Sequence, residues 1–118
     1  MTLIDTNVIL RYLLDDIPEQ TDKAESVIKQ GSFTLPEIIA EVVYVLTKLY
    51  KVPRNEIKSI VVPVFNEVEI QNKEIIVNAL SIFSETSFDF VDCIIISRKK
   101  LLNETIFTFD KKLSAKLK

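Results

Sequence analysis

Short strand-like segments alternate with helical stretches along the chain, and this alternation limits the possible folds more than any other feature. Periodicity and breakers predict strands at Thr2–Asp5, Ser32–Leu35, Glu67–Ile70 and Ile106–Phe109, and helices at Asn7–Leu14, Pro18 to about Gln30, Pro36 to about Tyr50, from Pro53, at Lys73–Phe83, at Phe90–Leu102 and from Lys111. Strands that alternate with helices predict an α/β protein, here a three-layer α/β/α sandwich around a central, mostly parallel sheet of about four strands.

The length and punctuation of the chain predict one domain. The 118 residues are 47% hydrophobic, contain a single glycine, and show no repeat, low-complexity tract or linker. We therefore expect residues 1–118 to form one domain. No signal peptide is evident, and no apolar run approaches the roughly 18 to 20 residues that a bilayer needs, so we expect a cytoplasmic protein without membrane contact.

The residue types that are missing exclude several kinds of chemistry. The chain has no histidine and one cysteine, Cys93. These counts exclude Ser-His and Cys-His nucleophile pairs, histidine zinc sites, CxxC redox chemistry and internal disulfides, and they fit a reducing compartment. Any catalysis must come from carboxylates, hydroxyls, lysines or a bound ion.

Two predicted strands end on an aspartate that stands directly before a helix. Asp5 follows Leu3-Ile4, and Asp110 follows Ile106–Phe109. Each also fits a helix N-cap, the ordinary role of aspartate at such a place. Ligands of open parallel sheets bind beyond the carboxyl ends of the strands, and neighbouring strands lie about 4.8 Å apart. If these two strands are neighbours, their carboxylates share one crevice.

Two further carboxylates interrupt or border apolar helical patterns. Glu41 falls at the border of the apolar stripe of its helix, where it is either a site residue or an exposed border acid. Asp92 interrupts the apolar run Phe90–Ile96, so we expect it to be at least partly buried. A buried carboxylate needs a cation or a proton. The alternative is a first-turn acid in a helix capped by Asp89 or Ser87.

Together, Asp5, Glu41, Asp92 and Asp110 form a proposed all-oxygen cluster. Carboxylates that share a crevice repel one another unless a divalent cation is present. Oxygen ligands without histidine or cysteine suit Mg²⁺ or Mn²⁺ better than Zn²⁺. The natural chemistry of such a site is metal-assisted hydrolysis of a phosphodiester, which needs no protein nucleophile.

The order and spacing of these acids resemble those of the PIN-domain ribonucleases, and most of all the VapC toxins of bacterial and archaeal toxin–antitoxin pairs. The resemblance spans nearly the whole chain. It rests on four fragments: Asp5-Thr6-Asn7-Val8-Ile9-Leu10, Ala40-Glu41-Val42, Asp89-Phe90-Val91-Asp92-Cys93-Ile94 and Thr108-Phe109-Asp110.

The resemblance implies a role for each matched residue. By similarity the catalytic, metal-binding acids are Asp5, Glu41, Asp92 and Asp110, with Thr6, Asn7 and Thr108 as supporting polar residues. Asp89, three residues before Asp92, can also face the site, and we expect it to be a helix cap or a supporting polar residue. It further implies a parallel sheet in which the first strand adjoins the Asp110 strand. Mg²⁺ or Mn²⁺ dependence, endonucleolytic cleavage of single-stranded RNA, homodimers and inhibition by a small antitoxin are also implied.

The charge distribution is compatible with RNA despite a net charge of −2. Leaving out the four proposed ligands, thirteen acids remain against fifteen bases, a balance of +2. The bases crowd near the C-terminus, where Arg98, Lys99, Lys111 and Lys112 are candidates for contacts to the RNA backbone. The alternative is a solvated helix face and tail. Three tyrosines can stack on bases or pack at the edge of the core: Tyr12, Tyr44 and Tyr50.

Two other readings stay open. The same fold can serve as a catalytically silent binding or adaptor module in which the acids are structural. A phosphoacceptor receiver-like domain also binds Mg²⁺ at strand-end aspartates, but it needs an acidic pair at the first strand and a late Lys before Pro, which this chain lacks. A hydrolase with an aspartate nucleophile wants a second aspartate two residues after Asp5, where Asn7 stands instead.

Overall fold

A computed structural model describes residues 1–118, and it confirms the predicted α/β architecture. The strands are β1 (Thr2–Leu3), β2 (Ser32–Thr34) and β3 (Val68–Ile70). The helices are α1 (Thr6–Leu14), α2 (Pro18–Lys29), α3 (Pro36–Lys48), α4 (Arg54–Val61), α5 (Lys73–Glu85), α6 (Phe90–Leu102) and α7 (Lys111–Lys116), with a 3₁₀ turn at Val62–Asn66. Each predicted helix is therefore present.

The sheet is parallel and runs in sequence order, β1-β2-β3. Thr2 lies opposite Ser32, and Ser32 lies opposite Val68. Helices connect each pair of strands, because parallel neighbours cannot be joined by a tight turn. Gly31, with φ of +104°, makes the turn into β2, and its carbonyl accepts a hydrogen bond from Thr2 N at 3.1 Å. Because β1 stands first in this order, it is an edge strand, and Asp5 follows its carboxyl end.

The fourth predicted strand, Ile106–Phe109, does not form. No backbone group between Thr105 and Phe109 takes part in a backbone hydrogen bond. Phe107 and Phe109 are 81% and 90% exposed and pack edge to face on each other, with ring centroids 5.0 Å apart. The expected pairing of this segment with β1 is therefore wrong. An alternating pattern makes a strand only where a sheet edge satisfies its backbone.

The core lies between the sheet and the helices. Helix α3 buries Ile39, Val42, Val43 and Leu46, which belong to its predicted apolar stripe. Ile4, beside Asp5, is only 2% exposed, its N–H donates to Phe33 O at 2.9 Å, and its carbonyl accepts from Thr34 Oγ1 at 3.1 Å. The chain is therefore firmly held immediately before Asp5.

Helix α6 packs against α5, and this contact sets its orientation. The fully buried Ser97 hydroxyl donates to the Ile75 carbonyl at 2.8 Å. Asn103, in the left-handed conformation at φ 53°, closes the helix, and its N–H donates to Lys99 O. Asp92, in the first turn of α6, thus lies on a fixed helix.

None of the helices has the length and apolar character needed to cross a bilayer.

Candidate active site

Asp5 and Glu41 line one cavity of about 360 Å³, where the end of β1 meets α3. Asp5 caps α1, because its Oδ1 accepts a hydrogen bond from Val8 N at 3.1 Å. Thr6 Oγ1 donates to Glu41 Oε2 at 3.0 Å, and Asn7 lines the same cavity. Each acid keeps a second oxygen without a protein partner. The cap and the site interpretations of Asp5 are therefore compatible.

Glu41 also lines a second space, a groove of about 710 Å³ that contains Asp89 and Asp92. Asp92 is half-buried, as expected, and makes no hydrogen bond or ion pair within the protein. Burial raises the pKa of Asp92, and the charges of Asp89 and Asp110 raise it further. Asp89 stands at the N-cap position of α6 without a capping side-chain hydrogen bond. Glu41 thus joins the two halves of the site.

Asp110 lies in the loop before α7 and is not among the residues that line this groove. Its Oδ1 accepts from Leu113 N at 2.8 Å, so it caps α7, and its own N–H donates to Thr108 Oγ1 at 3.0 Å. The charge of Asp110 contributes to the raised pKa of Asp92. The strand-to-strand adjacency implied by the resemblance is absent. The link from Asp110 to the other acids is the effect of its charge on Asp92.

The donor chemistry of these acids fits a hard divalent cation. No three acidic or cysteine side chains converge closely enough to hold a metal ion as the side chains stand. The raised pKa of Asp92 nevertheless reports burial and carboxylate repulsion, which a bound cation would relieve. Free oxygens on Asp5, Glu41 and Asp110 and the unpartnered Asp92 carboxylate give oxygen donors of the type that Mg²⁺ and Mn²⁺ prefer.

Comparison with known proteins decides the family. The family model described as "PIN domain" matches residues 2–116. The chain belongs to the PIN-domain family. A relative described as "VapC ribonuclease", from Aquifex aeolicus (strain VF5), is 27% identical over 121 residues, covering 95% of this chain and 89% of the relative. No solved structure matches the chain significantly. The resemblance identified from the four sequence fragments is thereby confirmed at the level of the family.

The four basic candidates of this PIN domain differ in their freedom to contact a ligand. Arg98 is held by Glu104, with Nε and Nη2 at 2.6 and 2.8 Å from its two carboxylate oxygens. Lys99 donates to the Asn103 side chain at 3.3 Å, and Lys111 is exposed without a partner.

Lys112 contacts Ser87 and Phe88, the two residues that precede Asp89. Its Nζ donates to Ser87 Oγ at 2.6 Å and lies 4.6 Å from the centroid of the Phe88 ring. Its charge also opposes the rise in the pKa of Asp92. Lys112 therefore stands at the rim of the site.

Arg11 and Arg54 were missed by the sequence analysis. Arg11 lines the Asp5 cavity, pairs with Asp16 at 2.9 Å and donates to Tyr50 Oη at 3.4 Å. Arg54 lines the Asp92 groove and donates to the carbonyls of Phe83 and Phe88, at 3.1 and 2.5 Å. Phe83 and Phe88 are 29 and 34 residues from Arg54 in the sequence, so no local pattern predicts these contacts.

Cys93, next to Asp92, does not extend the chemistry of the site. Its thiol is fully buried, and burial raises its pKa to about 11. It therefore stays protonated at neutral pH and is no nucleophile. The reactive groups of the site remain carboxylates.

Proposed function

We propose that this PIN domain is a divalent-metal-dependent endoribonuclease that hydrolyses phosphodiester bonds of single-stranded RNA. We further propose that it is the toxin of a toxin–antitoxin pair. The observation that carries the proposal is the sharing of Glu41 between the Asp5 cavity and the Asp92 groove. The family match and the relative named a VapC ribonuclease support the same function.

The groups that would hold Mg²⁺ or Mn²⁺ are the carboxylates of Asp5, Glu41, Asp92 and Asp110. The chemistry that such a cation supplies when bound is activation of water and neutralisation of charge on the scissile phosphate. An RNA phosphate near these acids also needs that positive charge, because four carboxylates alone would repel it.

The chain's own residues orient the acids. The hydrogen bond from Thr6 fixes one oxygen of Glu41, and the N-cap bonds fix one oxygen each of Asp5 and Asp110. Such bonds preorganise a charged group before substrate arrives. Lys112, held against Ser87 and Phe88 just before Asp89, would attract a phosphate.

The partners follow from the same proposal. A small antitoxin protein would bind this chain and block cleavage, and the chain would form a homodimer. Exposed large apolar side chains offer surface for such contacts; they include Leu49, Val91, Leu101, Leu102, Phe107 and Phe109. A short gene for a DNA-binding protein beside this gene would support the toxin assignment over a housekeeping nuclease.

The test is cleavage of a labelled single-stranded RNA by the purified protein. We expect cleavage with Mg²⁺ or Mn²⁺, none with EDTA, and its loss in Asp5→Asn and Asp92→Asn with the far-UV circular dichroism spectrum unchanged. Asp22→Asn is the matched control, because Asp22 is exposed on α2 and makes no hydrogen bond. Cleavage that survives EDTA, or that persists undiminished in both site variants, would contradict the mechanism.

One observation favours the silent-module alternative, namely that no three acids converge to metal-binding distance. Thermal melting with and without Mn²⁺ separates the two. Ligand at about 100 times its Kd stabilises a protein by roughly 2.7 kcal/mol, so a nuclease site that binds metal raises the Tm. An unchanged Tm at saturating Mn²⁺, together with no cleavage, would support the silent module.

A further inference from the structure

The three tyrosines differ in what they contact. The Tyr12 hydroxyl donates to Glu67 Oε2, and the Tyr50 hydroxyl accepts a hydrogen bond from Arg11. The Tyr44 hydroxyl makes no hydrogen bond within the protein, and 61% of the residue's surface is exposed. Since its ring lines the Asp92 groove, Tyr44 is the tyrosine available to a ligand there.

Helix α3 presents an acid, an aromatic ring and a cation to this groove, in that order. Glu41, Tyr44 and Lys48 are spaced i, i+3 and i+7, so they follow one stripe of the helix, and all three line the groove. At 1.5 Å per residue, Glu41 and Lys48 are about 10 Å apart along the axis. Stacked nucleotides rise about 3.4 Å each, so this length matches roughly three of them.

The rest of the groove lining also complements a nucleotide. Phe83, Phe90 and Val91 contribute apolar surface, and Val91 is 58% exposed. Arg54 also lines the groove, with its guanidinium carbon 3.6 Å from the Phe83 ring centroid and its Nη2 on the carbonyl of Phe88, next to Asp89. The groove lining therefore combines acidic, apolar and basic side chains, with Glu41 and Lys48 at the two ends of the α3 stripe.

We infer that this groove binds the RNA nucleotides next to the scissile bond, with a base stacked on Tyr44 and a phosphate paired with Lys48. The inference rests on the proposed function and deepens it. A nucleotide matches the groove because it combines an apolar ring face with an anionic phosphate. A second copy of the chain would need to bury the charges of Glu41, Asp89, Asp92 and Lys48, which is costly unless each is paired.

The test compares Tyr44→Ala with Tyr44→Phe, and Lys48→Ala with Lys58→Ala, in steady-state cleavage of single-stranded RNA. Lys58 is the charge control, since it is exposed on α4 and lines none of these cavities. Loss of stacking raises KM by roughly 5- to 100-fold in Tyr44→Ala, whereas Tyr44→Phe keeps the ring and the KM. Lys48→Ala raises KM and lowers the salt dependence of binding by about one phosphate contact, and Lys58→Ala changes neither.

A substrate change identifies the stacked base. An abasic nucleotide beside the cut lowers cleavage by the wild-type protein but causes no further loss in Tyr44→Ala, because both changes remove the same contact. Additive losses would overturn the inference.

Two results separate this inference from the proposed function. If the wild type cleaves RNA and Tyr44→Ala has the same KM, the inference about the groove is wrong while the proposed function stands. If the wild type cleaves no RNA, the proposed function fails, but fluorescence anisotropy of labelled RNA in Ca²⁺ still tests binding in the groove. An equal Kd for the wild type and Tyr44→Ala overturns the inference. Weaker binding by Tyr44→Ala supports it. If light scattering gives Tyr44→Ala a lower mass than the wild type, the Tyr44 ring lies in a protein interface, and the inference is also overturned.

Discussion

The edge strand β1 and the segment Thr105–Phe109 both lead into an aspartate that caps a helix. Asp5 accepts from Val8 N and Asp110 from Leu113 N, each through Oδ1. The residues just before them differ sharply. Ile4 is 2% exposed and joined to β2 on both its amide and its carbonyl, whereas Phe109 is 90% exposed and has no backbone partner.

This difference shows what a helix cap does and does not decide. A cap is local, because donor and acceptor are three residues apart, and so it forms in both places. A strand is not local, since its backbone groups need a partner strand. The two acids therefore have similar local geometry on supports of unequal strength: the sheet and core hold Asp5, and the cap and Thr108 hold Asp110.

The largest expected contrast is in amide hydrogen exchange. The Ile4 amide donates to Phe33 O at 2.9 Å beside the core, whereas the Phe107 amide has no protein acceptor. We expect exchange at Ile4 to be slower by a factor of about 10³ or more, relative to unstructured peptide rates, than at Phe107. Exchange detected by NMR at each amide measures this, and equal protection would mean that Thr105–Phe109 is paired in solution.

Truncating the residue before each aspartate gives the next largest contrast. Ile4→Ala removes a core side chain and is expected to lower the free energy of unfolding by about 2–5 kcal/mol. Phe109→Ala removes an exposed ring, so we expect a change within about 0.5 kcal/mol. Urea denaturation measures both. A large loss in Phe109→Ala would show that another surface covers the ring.

Removing the caps is expected to have a smaller and more equal effect. Asp5→Ala and Asp110→Ala each lose one cap bond, at a cost of about 1 kcal/mol, while Asn at either position keeps the cap. Unfolding curves of the four variants test this. If Asp5→Asn destabilised the fold as much as Asp5→Ala, the stabilising contribution of Asp5 would come from its charge instead of its cap.

The smallest contrast is in the dependence of stability on pH. The hydrogen bond to Glu67 raises the pKa of Tyr12 to about 12 from its usual 10.0. The contribution of this hydrogen bond to the free energy of unfolding is therefore present below pH 10 and is lost as the pH rises toward 12. The hydrogen bonds from Arg98 lower the pKa of Glu104, so its contribution is present above its usual 4.5 and is lost as the pH falls. Both pairs are solvated, so both effects are small.

Two variants isolate these slopes. Tyr12→Phe should reduce the loss of stability at alkaline pH, and Glu104→Gln should reduce the loss at acid pH, in thermal melts across the pH range. If each variant kept the wild-type slope, the corresponding pair would not contribute to folding.

Local signals made most of the fold predictable. Pro18 and Pro36 begin helices as expected, and α6 has the predicted bounds Phe90–Leu102. The predicted strands at Thr2–Asp5, Ser32–Leu35 and Glu67–Ile70 are present in shortened form. Ile106–Phe109 failed because its alternation says nothing about whether a neighbouring edge is in reach.

The sequence named the candidate site residues, and their relative geometry was harder to predict. The partial burial of Asp92 followed from the apolar run around it and is confirmed. The contact between Thr6 and Glu41 spans 35 residues, and the Arg54 contacts depend on how α4 packs against α5, so neither has a local signature. The assignment of the four acids as metal ligands stays a prediction.

The central claim, that Asp5, Glu41, Asp92 and Asp110 serve one cation site, is tested most directly by NMR with Mn²⁺. Trace Mn²⁺ broadens the amide signals of residues close to the bound ion. The account predicts broadening at all four acids and none at Lys58, with all of it lost in Asp92→Asn. Broadening at Asp5 and Glu41 without Asp92 and Asp110, or none at any of the four, would contradict it.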